Sequence, residues 1–139
     1  MNRGLQERTA FTVYATKPIE HLGVGQPIKF DKILTNVGDD YNIHTGIFTV
    51  PVDGIYAFSF YIAEYQVHEF YASLVVDGDR TVQGIADALS GDQDIQGGNF
   101  AILSLRAGQT VSLESDVSDG YIWAAKTQRF ESFSGFLLY

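Results

Sequence analysis

The chain has 139 residues, 45% hydrophobic and 14% aromatic, which is one domain's length with enough apolar surface to bury a core. Seventeen acidic against nine basic residues give a net charge of -8, which argues against nucleic acid as a partner, because phosphate binding needs a basic surface. The absence of Cys excludes a disulfide framework, and no stretch approaches the ~20 apolar residues of a spanning helix, so membrane insertion is not expected.

Residues 1–8 read as an N-terminal tail without the apolar run of a signal peptide, ahead of a domain over 9–139. Phe11, Val13 and Ala15 alternate with Thr12, Tyr14 and Thr16, the pattern of a half-buried strand. Over 54–63, Tyr56, Phe58, Phe60 and Ile62 share one face and Ile55, Ala57, Ser59 and Tyr61 the other. Both faces are largely apolar, so this strand is central or meets a partner surface. Residues 69–76 align Phe70, Ala72, Leu74 and Val76. The best helical candidate, Val82 to Ser90, is short, contains Gly84 and lacks an apolar stripe of helical period. Residues 99–105, 110–114 and 131–139 read as further strands. Turn chemistry falls at Pro51-Val52-Asp53-Gly54, Asp77-Gly78-Asp79, Gly97-Gly98-Asn99, Ala107-Gly108-Gln109 and Ser118-Asp119-Gly120. Short strands with glycine turns specify an all-β antiparallel domain, and periodicity alone leaves sandwich, jelly roll and barrel open.

One set of residues is more specific than alternation. Phe30, Asn36, Tyr41, Phe48 and Gly54 lead into Tyr56, Phe58 and Phe60 at alternate positions. This series resembles the signature of the complement C1q-type globular domain, whose fold is shared with tumour necrosis factor. Ala10-Phe11-Thr12-Val13 is similar to that family's opening strand, and Phe133-Ser134-Gly135-Phe136-Leu137-Leu138-Tyr139 to its closing strand. Thr35-Asn36-Val37-Gly38 and Thr45-Gly46-Ile47-Phe48 are closest in style to secreted invertebrate forms, such as those of molluscs. The resemblance implies a ten-stranded antiparallel jelly-roll β-sandwich. Within it the rings are core, Gly54 serves a positive φ or a close backbone approach, and Asn36 holds the crossing loop that contains Gly38 and Asp39.

The last strand places Phe133, Leu137 and Tyr139 on one face and Phe136 and Leu138 on the other. A single sandwich leaves one such face wet. The resemblance implies a threefold axis there, hence a homotrimer with Phe136, Leu137 and Tyr139 in the interface. The alternative is that adjoining loops cover the second face within a monomer.

No nucleophile elbow, zinc-protease motif or phosphate-binding loop is present, and His21, His44 and His68 lie far apart, so no enzyme activity is expected. Ser90 to Gly97 carries Asp92 and Asp94 in an acidic turn. The resemblance implies Ca²⁺ bound through these two, against the plain reading of a solvated turn. Ser115 to Glu131 is a long segment with Tyr121, Trp123, Lys126 and Arg129, and Arg80 sits at another loop tip. Rings in a polar loop suit stacking on sugar faces, and Arg129 would serve an acidic sugar. The competing reading makes Tyr121-Ile122-Trp123 a short strand with Trp123 turned inward. The resemblance thus implies a secreted, lectin-like pattern-recognition module of innate immunity that binds microbial or host glycans. The alternative is a cytokine-like or structural trimer with a protein receptor.

Overall fold

A computed structural model describes residues 8–65, 67–91 and 93–139. Twelve strands and no helix occur among them: β1 Ala10–Tyr14, β2 Ile19–Leu22, β3 Lys32–Val37, β4 Tyr41–Asn42, β5 Ile47–Thr49, β6 Gly54–Glu64, β7 Glu69–Val76, β8 Asp79–Asp87, β9 Ile95–Leu105, β10 Thr110–Ser115, β11 Gly120–Ile122 and β12 Ser132–Leu137. Ten of them form two five-stranded sheets, ordered β3-β1-β12-β6-β9 and β4-β5-β10-β7-β8. β2 and β11 make a separate two-stranded ribbon at one end. All pairings between these strands are antiparallel. The expected jelly-roll sandwich is therefore present.

Alternation decides which side of each strand goes inside. Tyr56, Phe58, Phe60 and Ile62 of β6 are buried, while Tyr61 on the opposite face is exposed. Phe11, Tyr41, Phe48, Phe58 and Phe133 form one ring cluster, with Phe11 4.9 Å from Phe133 edge-on and 5.0 Å from both Tyr41 and Phe48. Each such ring removes on the order of 150–250 Å² from water, and tilted pairs add a little beyond area. Asn36 donates to the Tyr41 carbonyl at 2.9 Å and to Asp39 Oδ1 at 3.3 Å, fastening the crossing loop. Gly54 admits the C-terminus: a Cβ there would lie 2.8 Å from Leu137 Cδ1 and from the Tyr139 carbonyl oxygen.

Two sequence expectations give way. Gly97-Gly98-Asn99 is no turn but lies inside β9, where Ile95 to Leu105 pair without a break to β6. The glycines are there because neighbouring backbone is too close for any side chain. A Cβ on Gly97 would sit 1.6 Å from the Ile85 carbonyl oxygen, and one on Gly98 1.9 Å from that of Phe60. Most of the segment from Val82 to Ser90 belongs to strand β8, whose inward positions Gly84 and Ala86 are buried. Of the N-terminal tail, residues 1–7 lie outside the described residues.

The last strand splits its apolar residues as its parity requires. Phe133 is buried and Leu137 packs against the core, so Leu137 faces inward. Phe136 stands on the outer face of its sheet at 45% exposure, and Tyr139 is 82% exposed. The sequence reading missed Phe136's neighbours. Ala57 is its register partner on β6 and is in turn opposite Ile102 of β9, while Ser59 is opposite Phe100. Phe100, Ile102 and Tyr61 are all exposed large hydrophobics. The outer face of this sheet is thus an apolar surface of the kind that marks an interaction site.

Candidate functional site

The strand register gathers the functional candidates at one end. β6 ends at Glu64 opposite the start of β9 at Ile95, and β1 ends at Tyr14 opposite the start of β12 at Ser132. The connections after β6, before β9 and before β12 therefore meet there, at the end opposite the Tyr139 carboxy terminus. β11 delivers Tyr121 and then Trp123 into this cluster because Ile122, between them, is anchored in the core. The short strand of the competing reading exists, but Ile122 is its inward residue. Trp123 is half-buried, with its backbone N–H donating to the Ala63 carbonyl at 3.1 Å and to Glu64 Oε1 at 3.3 Å.

A run of rings follows from this anchoring. His68 stacks on Tyr121 at 4.5 Å and on Tyr65 at 5.5 Å, Tyr65 lies 5.2 Å from Trp123, and Trp123 lies 5.6 Å from Phe130. Trp123 and Phe130 wall a cleft of about 340 Å³ with Ala63 and Ile95 as its apolar lining and Asp94, Gln96 and Gln128 as its polar groups. Gln96 Nε2 donates to the Phe130 carbonyl at 2.8 Å and holds that wall. A second hollow of about 310 Å³ lies on the other side of the ring run, lined by Glu20, His21, His68, Asp119 and Tyr121. There His21 Nδ1 is 2.8 Å from Asp119 Oδ1, and that hydrogen bond raises the imidazole's pKa above its ordinary value. Burial, with the hydroxyl of Tyr65 adding to it, holds the Tyr121 phenol above its ordinary range.

Two carboxyl groups sit beneath this end on core-facing positions. Glu64 and Glu131 are each fully buried, and neither Glu64 Oε2 nor either oxygen of Glu131 has a hydrogen-bond partner among the described residues. Burial raises the Glu64 pKa from 4.5 to about 8, against the small opposing effect of the Trp123 N–H. Burial likewise raises that of Glu131 from 4.5 to about 7, with the Asp31 charge adding to it. Both are therefore held largely as neutral acids at mildly acidic pH.

Of the residues singled out in the sequence, Tyr121, Trp123 and Asp94 come together at this end, whereas the cations do not join them. The Arg129 guanidinium lies 4.3 Å over the Tyr14 ring, turned away from the cleft that Gln128 and Phe130 line on either side of it. Lys126 is exposed in the same loop and lines no part of the cleft. Arg80 is on β8, where its Nη2 is 3.2 Å from Asp116 Oδ1, in a network that Ser73 and Gln83 complete. Tyr65, His68, Gln96, Gln128 and Phe130 were missed, being scattered along the chain with no shared period. Asp92 lies outside the described residues. Among the described residues no group of three or more His, Asp or Glu could hold a metal ion. Asp94 is the only carboxylate among the described residues that line the cleft, and the expected calcium pair of Asp92 and Asp94 lies partly outside the described residues.

Comparison with known proteins agrees with the fold. The C1q domain pattern matches residues 10–138, nearly the whole chain. The chain belongs to the C1q domain family. It is 36% identical over 135 residues to mouse complement C1q tumor necrosis factor-related protein 2, covering 95% of this chain and 44% of that protein. It is 33% identical over 135 residues to caprin-2 of Danio rerio, covering 96% of this chain and 14% of that one. The chain thus spans less than half the length of these relatives. Among solved structures, the globular domain of zebrafish complement 1qA superposes with a TM-score of 0.76 at 24% identity, covering 94% of this chain and 98% of that one. Eiger TNF from S. frugiperda gives 0.75 at 16% identity over 95% of this chain and 92% of that one. These likenesses establish a shared jelly-roll fold. Among the described residues no helix is long and apolar enough to cross a membrane.

Proposed function

We propose that this C1q domain is a secreted, non-enzymatic recognition module that assembles as a homotrimer and binds glycans through its loop end. The observation that carries the glycan reading is the cleft between Trp123 and Phe130, where two rings, an apolar floor and three polar side chains converge. A pyranose ring presents an apolar face to such a wall and hydroxyls to carboxylate and amide groups. Assembly is supported by the outer face of Tyr61, Phe100, Ile102 and Phe136, which is too apolar to favour contact with water. Trp123→Ala should weaken glycan binding at least tenfold while light scattering still reports three times the 15.4 kDa chain mass. Unaltered glycan binding in that variant would overturn the reading.

A second reading, a cytokine-like or structural trimer that binds a protein receptor, is favoured by the similarity to a complement C1q tumor necrosis factor-related protein. The two differ in one measurement. Capture of a single receptor ectodomain that oligosaccharides fail to displace, with no glycan bound on an array, selects the receptor reading.

A further inference from the structure

The charge around the Trp123 cleft has a sign. Asp94 is the only ionisable group among the described residues that line it. The neighbouring hollow adds Glu20 and an Asp119 that is paired with His21, while Glu64, buried behind the Trp123 backbone, is held neutral. The two loop cations are directed elsewhere: Arg129 onto the Tyr14 ring, and Lys126 outside the cleft lining. The chain as a whole carries -8. An anionic sugar entering this cleft meets a carboxylate at close range and an acidic net charge at long range, with no cation among the described residues that line the cleft. A cation meets the opposite conditions. Trp is the best ring for a cation–π contact, and a carboxylate accepts charge-assisted hydrogen bonds from an ammonium group.

We infer that the cleft takes an amine-bearing sugar, its pyranose ring against Trp123 and Phe130 and its ammonium group on Asp94, in preference to neutral and acidic sugars. This rests on the glycan reading above and replaces the acidic-sugar expectation that placed Arg129 in the site. Gln96 and Gln128 then supply donors and acceptors for ring hydroxyls, while Ala63 and Ile95 cover the apolar edge. Asp94 acts here as a direct acceptor, so binding needs no divalent ion.

The single Trp makes the test specific, since its emission reports on this cleft alone. The purified full chain is titrated at pH 6 with EDTA present, using a glucosamine trimer, its N-acetylated counterpart and a galacturonic acid trimer. The glucosamine trimer should shift the emission saturably, bind about tenfold tighter than the N-acetylated trimer, and weaken as NaCl rises. Asp94→Asn should reduce that tenfold preference to less than about threefold, weakening the glucosamine trimer more than the N-acetylated one. Equal or tighter binding of the neutral or acidic trimer overturns the inference, as does a preference that survives Asp94→Asn. Tetramethylammonium separates the two layers of the argument. If it shifts the emission and no sugar does, the cation site stands and the glycan reading fails. If glycans bind with the emission unmoved, the glycan reading stands and this cleft is not its site.

Discussion

Glu131 makes stability fall as pH rises, and the size of the fall follows from its burial. Its side chain is fully buried, both oxygens lack partners among the described residues, and burial raises its pKa from 4.5 to about 7. The folded pKa is above the unfolded one, so the native state holds more protons between them. Its stability contribution is therefore complete below about 4.5 and is lost as pH climbs through 7. At about 1.4 kcal/mol for each pH unit of mismatch, the loss between pH 5 and pH 8 comes to roughly 2–3 kcal/mol. For a domain of this size that is about 5–10 °C in Tm. Glu131→Gln keeps the shape and removes the titration. Any shortage of partners for the amide shifts Tm by the same amount at every pH, so the slope isolates the proton. Thermal melts by circular dichroism at fixed protein concentration, from pH 5 to 8, should show the variant gaining on the parent protein as pH rises. Asp31 bounds the acid side: hydrogen bonds from the Thr16 side chain and backbone outweigh its burial and hold its pKa low, so its contribution fades only as pH falls below the carboxylate range. A Tm difference that is flat with pH would refute the assignment of a neutral Glu131.

Glu64→Gln should act in the same direction over a window reaching about pH 8, with a loss of roughly 3 kcal/mol relieved, read by the same melts. Phe136→Asp should abolish trimers in light scattering while far-ultraviolet circular dichroism stays native, because the substituted face is exposed in the single chain. Leu137→Asp should instead lower Tm by unfolding the chain itself, since Leu137 packs against the core. Gly97→Ala should destabilise by at least about 3 kcal/mol in urea titration, because its methyl would collide with the Ile85 carbonyl and the strands must part.

The sandwich was legible because alternation marks its inward faces: Tyr56, Phe58, Phe60 and Ile62 are buried as their spacing requires. The same rule, carried to the strand ends, points to the two buried acids. Glu64 continues the inward series from Ile62, and Glu131 precedes Phe133 on the inward side of β12. A carboxyl on a core-facing position was a readable signal that went unused. Gly97-Gly98 misled because the dipeptide that makes a turn also permits backbone contact, and only the neighbouring strand distinguishes the two. The cleft was half legible. Trp123 stood out as the single Trp in a polar segment, but its partners Tyr65, Phe130 and Asp94 arrive from three separate connections. Nothing local predicts that Arg129 turns to Tyr14 rather than toward Trp123.

The contact between Gly97 and Ile85 also governs how copies of this chain can meet. β9 is the last strand of one sheet and β8 the last strand of the other, and each would ordinarily present a row of unpaired amides and carbonyls. With their backbones pressed together, the two margins shield one another and admit no added strand between them. On this side the molecule resists the strand-by-strand growth that leads to fibres. The proposed trimer would then form away from this seam, through the exposed side-chain surface of Phe100, Ile102 and Phe136, where shape rather than backbone pairing would set the number of partners.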